Sequence, residues 1–156
     1  MELQRFKRAQ RQQGVAMVEF TIALPLLLLA LLAFGEFGRM LYQYNSLLQA
    51  SRDAARFVAG QAWNSTLGRV EVSADLECMT KYVAVHGAPT KPPCSQPGIP
   101  ANTTVQVSKV AGTDDHVQVS ISYNFSPLIA NGIPAFIGGG VALNFPLVAT
   151  TVMRAL

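Results

Sequence analysis

One carboxylate stands where a membrane helix would be expected to exclude it. In "RQQGVAMVEFTIALPLLLLALLAFG", residues 11–35, Glu19 is the one charged side chain between Val15 and Phe34, and it lies five residues past Gly14. A charged residue at mid-membrane costs roughly 3 kcal/mol and much less near the end of the span, so Glu19 calls for either a partner or the headgroup region. The second pair of reactive side chains is Cys78 and Cys94, both well after the apolar run. Two cysteines in so small a chain fit an oxidising compartment. A bridge between them would close a short loop and add about 3 kcal/mol, the other reading being two unpaired buried thiols. Two cysteines are too few ligands for a metal, and His86 and His116 lack ligand spacing with them. No nucleophile motif surrounds any Ser/His or Cys/His pair. "IGGGVAL" has no lysine-serine continuation, so it reads as a flexible connection and not as a phosphate loop. The sequence therefore predicts no enzymatic activity, no cofactor and no metal.

Charge is distributed unevenly along the 156 residues. Arg5, Lys7, Arg8 and Arg11, offset by Glu2, place the whole formal charge of +3 before Val15, and the remainder carries equal numbers of acids and bases. A nucleic-acid binder needs its basic residues on a folded surface, whereas these sit in a short tail before an apolar run. A topogenic role follows instead: the basic flank stays in the cytoplasm and the C-terminal part is sent outward.

Val15 to Phe34 is long enough to cross a bilayer core as a helix, with Pro25 expected to kink it. Beyond it, Phe37, Leu41, Tyr44, Leu48, Ser51, Ala55 and Val58 recur at spacings of three and four, widened by Met40, Leu47 and Ala54. That stripe predicts an amphipathic continuation to about Gly60, with Arg39 as an interfacial anchor and Arg52, Asp53 and Arg56 on a solvated face. A second helix is expected from about Glu71 to Val85, on the stripe Val70, Ala74, Cys78, Tyr82 and Val85. The proline-rich "APTKPPCSQPGIP" must be an extended loop. "HVQVSISYNF" alternates strictly, with Val117, Val119, Ile121, Tyr123 and Phe125 on one face, and reads as a half-buried strand. "TTVQVSKV" and "VALNFPLVATTVM" are its expected partners. The fold class is thus α+β: a long N-terminal helix, a short second helix and a small three-stranded antiparallel sheet.

The basic leader ending in Gly14, with Glu19 fifth in the apolar run, resembles the class III signal of prepilins. More narrowly, "GVAMVEFTIALPLLLLALLAFGEFGRMLYQYNSLLQASRDAAR" looks like the TadE-like family of minor pilins, or pseudopilins, of tight-adherence (Tad/Flp) pilus systems. The resemblance rests on Gly14, "VEF" at Val18 to Phe20, Pro25 amid leucines, "GEFGR" at Gly35 to Arg39 and "ASRDAAR" at Ala50 to Arg56. It implies cleavage between Gly14 and Val15 by a prepilin peptidase, and a pilin-like α+β product. Its partners would be other pilins and pseudopilins, the assembly platform in the inner membrane and the lipid bilayer. The divisions would be a leader at 1–14, a transmembrane helix at 15–35, its periplasmic continuation at 36–60 and a head at 61–156. Glu19 lies one helical turn from the new Val15 amine, close enough to pair with it or with that of a neighbouring subunit. Such a pair in an apolar bundle fixes register more than it adds stability.

Two other fates remain open on the residues alone. Ala33, Phe34 and Gly35 could serve a signal peptidase cutting before Glu36, which would release a soluble domain. An uncut single-pass subunit of another envelope complex would use the same helix without processing. Asn64-Ser65-Thr66 and Asn102-Thr103-Thr104 match the glycosylation sequon and are taken as chance.

Overall fold

The computed structural model describes residues 3–89, 94, 98–127 and 146–155, with the backbone alone for 3–13. Helix α1 spans Leu3–Ala59 without interruption. Its start is earlier than the apolar run requires, because "LQRFKRAQRQQ" is built of good helix formers and lacks a breaker. The chain divides into two units, Met1–Arg39 and Met40–Leu156, each considered by itself.

The first unit is helical throughout its described residues, and Pro25 lies inside α1. Proline has no N–H, so the carbonyl of Thr21, one turn earlier, loses its usual donor. The Thr21 hydroxyl meanwhile donates to the Met17 carbonyl at 2.8 Å, which satisfies a polar group on an otherwise apolar surface.

The second unit is an α+β head. Strands β1 (Trp63–Asn64) and β2 (Arg69–Val70) form a small hairpin, followed by α2 (Ala74–His86). Strands β3 (Thr103–Lys109), β4 (His116–Asn124) and β5 (Pro146–Arg154) make an antiparallel sheet in the order β3-β4-β5. The three strands therefore fall in the segments whose alternation predicted them. Val105, Ile121 and Ala149 stand in one row across the sheet and Val107, Val119 and Thr151 in the next. These rows face the last turns of α1, where Ala54, Ala55, Val58 and Ala59 join Val117, Val119 and Ile121 in one core. The alanines let the helix backbone approach the sheet, and Ser51 reaches the Thr151 hydroxyl at 2.8 Å.

Three features depart from the periodicities. The expected stripe on α1 is fully buried only from Ser51 onward, where it joins the core, whereas Phe37, Leu41 and Tyr44 remain exposed. Helix α2 begins at Ala74 and not near Glu71, since Ser73 is its N-cap and accepts a hydrogen bond from the Leu76 N–H at 3.2 Å. Its buried face is Leu76, Thr80 and Val83, displaced from the stripe through Cys78 and Tyr82. Cys78 turns toward Cys94 instead, and Tyr82 stacks on His86 at 4.1 Å between ring centroids. The β1–β2 hairpin was unforeseen. Most of "PLIANGIPAFIGGG", the whole of "VALNF" before β5 and parts of the proline-rich loop lie outside the described residues.

At the far end, the β3–β4 turn ties the head together. Gly112 takes a φ of 83°, which only glycine adopts freely, and the next residues bring Asp114 and Asp115 into place. The carbonyl of Asp114 accepts from the Val70 N–H, and that of Asp115 from the Ala155 N–H, each at 2.7 Å. One short turn thereby holds both the hairpin and the end of β5.

Candidate functional site: the apolar helix and its charged residues

Every described side chain from Val15 to Phe34 lies on the single helix α1, and nearly all are solvent-exposed. Val15, Phe20, Ile22, Leu27 and Leu31 each leave more than half of their surface uncovered. Twenty such residues rise about 30 Å along a helix, the thickness of a bilayer's hydrocarbon core. The stretch from Gly14 is long and apolar enough to cross a membrane, with a mean hydropathy of 2.4 over its best window and none of that window buried. An all-round apolar helix with no protein over it needs lipid or other helices as its solvent.

Glu19 is exposed on this surface and has no hydrogen bond or ion pair among the described residues. Gly14 sits inside the helix, five residues before it. A Cβ placed on Gly14 would meet nothing within 4 Å, so no crowding demands glycine there. The same holds at Gly35 and Gly38. A glycine inside a helix costs about 1 kcal/mol relative to alanine, so Gly14 is a local weak point without a packing return.

Where the apolar run ends, charge reappears as a pair. Arg39 approaches Glu36 through both Nη2, at 3.1 Å, and Nε, at 3.3 Å, on the same Oε2. The two are three residues apart and so share a helix face. Arg39 had been expected only as an interfacial anchor; its spacing from Glu36 was legible and unused. The Glu36 side chain is just 10% exposed, so the pair satisfies a carboxylate that would otherwise be costly to cover.

These positions fall within one segment that a known family describes. Residues 14–56 match the model of the TadE-like protein family. In this segment the chain is TadE-like. The match begins at Gly14 and ends at Arg56, so it spans the apolar run, Glu19, Pro25, the Glu36–Arg39 pair and the core alanines Ala54 and Ala55. Neither curated proteins nor solved structures yield a match.

In the head, Cys78 on α2 and Cys94 are joined by a disulfide, with Cα atoms 6.0 Å apart. The bond fastens the proline-rich segment to α2 across a sequence separation of 16. Among the described residues, no three His, Cys, Asp or Glu side chains gather in a way that could hold a metal ion. His116 instead meets Asp115 at 2.6 Å, and the Arg154 Nε donates to the other oxygen of that carboxylate at 2.9 Å. The hydrogen bond to His116, helped by the charges of His116 and Arg154, holds the Asp115 carboxyl below its ordinary range against the opposing effect of burial. Asn64, the first residue of one sequon, is committed to the hairpin turn: its Oδ1 accepts from the Thr66 and Leu67 N–H groups at 3.0 and 3.2 Å.

Proposed function

We propose that the chain is the precursor of a minor pilin, or pseudopilin, that takes part in assembly, priming or tip formation of a Tad/Flp adhesive pilus. The leader stays in the cytoplasm, a prepilin peptidase cuts between Gly14 and Val15, and the apolar helix remains in the inner membrane with the head on the periplasmic side. The observation that carries this reading is Glu19: an exposed carboxylate on a bilayer-length apolar helix, in a segment matching the TadE-like family, with no partner of its own among the described residues.

The physical argument is one of register. Cleavage creates a charged amine at Val15, one helical turn from Glu19. Within a bundle of such helices an acid without a counter-ion is costly, and an acid paired with an amine is close to neutral. Subunits that slide out of register separate the pair, so the charge selects one axial stagger, as a polar residue does in a coiled-coil core. Gly14 fits the same sequence of events. It weakens the helix at the bond to be cut, and its lack of a side chain serves no packing need within the helix. Pro25 would add a bend inside the membrane, where neighbouring helices can accommodate it. Phe37, Leu41 and Tyr44, left exposed on α1, would continue the apolar contact between subunits above the membrane.

The test is Glu19→Leu in the cells that make the protein. Cleavage at Gly14 should proceed as in the wild type, while assembly of the pilus is lost. Normal pili from the variant would remove the register argument.

A further inference from the structure

The head contains a cleft that the assembly reading does not use. It measures about 420 Å³, within the range of roughly 300–1,000 Å³ typical of small-molecule sites. The hairpin β1–β2 forms one wall and the start of α2 the other, and Leu76 and Met79 contribute apolar surface. Trp63, the one tryptophan in the chain, lines this cleft with 39% of its surface exposed. A tryptophan left open on a small, well-packed head is an uncovered apolar face beside polar groups.

Two of those polar groups, Asn64 and Glu71, are held in place before any ligand arrives. Both backbone bonds to the Asn64 Oδ1 fix its amide, and its Nδ2 then donates to the Glu71 Oε2 at 2.7 Å. The carboxylate of Glu71 is thereby aimed, and its other oxygen takes no hydrogen bond among the described residues. Asp75, Gln61, Ser65 and Ser73 complete the described polar lining. Among the described residues no lysine or arginine lines the cleft, so phosphates, carboxylates and nucleic acids would meet negative charge that these residues do not compensate. The cleft instead calls for a ligand with hydroxyl donors for Glu71 and Asp75 and a flat C–H face for the indole of Trp63.

We propose that this cleft binds a neutral pyranose of a polysaccharide chain. One sugar ring lies against Trp63, and its hydroxyls donate to Glu71 and Asp75 and exchange hydrogen bonds with Gln61. The site stands independently of the pilus reading, since the same head on an uncut membrane anchor would bind equally.

The test uses the full chain in a sugar-free zwitterionic detergent, titrated calorimetrically with cellohexaose and maltohexaose and followed in parallel by the emission of Trp63. Hexagalacturonate serves as the anionic control and chitosan hexamer as the amine control. At least one neutral hexasaccharide should bind saturably and shift the emission, and hexagalacturonate should not bind. Glu71→Gln keeps an acceptor for Asn64 but removes the charge, and with Asp75→Asn it should weaken binding about tenfold, the usual scale for a charge-assisted hydrogen bond. Both variants should keep the wild-type circular dichroism and an intact Cys78–Cys94 bond. Binding of neither neutral sugar, binding of the chitosan hexamer alone, or equal affinity in Glu71→Gln, Asp75→Asn and Trp63→Ala would overturn the proposal. An emission shift produced only by other pilin subunits would overturn it too, and would make the cleft a protein interface.

Discussion

Removing the disulfide is the perturbation whose size can be worked most directly. Replacing both Cys78 and Cys94 by serine keeps similar side-chain volume and leaves no free thiol. The bond spans a sequence separation of 16. Closing a loop of that length in the unfolded chain removes about 10 cal/mol/K of entropy, or about 3 kcal/mol at 25 °C. Two features pull the value down. The closed segment includes three of the five prolines of its stretch, which already restrict the unfolded chain, and part of it is the helix α2, held by Leu76, Thr80 and Val83 without the bond. The expected loss is therefore about 2–3 kcal/mol, which in a head of this size lowers the melting temperature by roughly 10 °C. Urea unfolding of the full chain in detergent, followed by the emission of Trp63, reads it as a lower midpoint with an unchanged slope. A double variant within 0.5 kcal/mol of the wild type would refute the reasoning. It would mean that α2 and the hairpin already confine this segment in the unfolded ensemble.

Two further outcomes follow from the head. Ser51→Ala removes the buried hydroxyl that meets the half-buried Thr151 at 2.8 Å, and should cost about 1 kcal/mol by urea unfolding; no change would mean that Thr151 finds another partner. Asp115 has its folded pKa held below the unfolded value, so its contribution is complete above the unfolded value and is lost as pH falls through the folded one. Asp115→Asn should therefore lower stability at neutral pH and flatten the acid limb of the stability profile below about pH 4, and an unaltered acid limb would discard the His116–Asp115–Arg154 cluster as its source.

What the sequence made legible divides along physical lines. Strand β4 was plain because Val117, Val119 and Ile121 alternate with polar residues, a period that only a half-buried strand satisfies. The TadE-like segment was recognisable because Gly14, Glu19, Pro25 and the alanines stand in a fixed order within one helix. The face of α2 was misjudged because apolar residues occupy both candidate stripes, and only the tertiary pairing of Cys78 with Cys94 decides between them. The β1–β2 hairpin left no periodicity to read, since each strand has two residues and Asn64 supplies the turn chemistry through its side chain. The cleft was invisible for the same reason. Trp63 lies on β1, Asp75 on α2 and Glu71 in the link between β2 and α2, and nothing in their spacing announces that they meet. Glu36–Arg39 is the opposite case, an i,i+3 pair that spacing does display.

The central claim is that the chain is cut after Gly14 and keeps its apolar helix. The most direct test is the N-terminal sequence and intact mass of the protein recovered from its native cells. The account predicts a chain beginning at Val15, with or without a methyl group on its amine. A chain beginning at Glu36, or one that still begins at Met1, would contradict it.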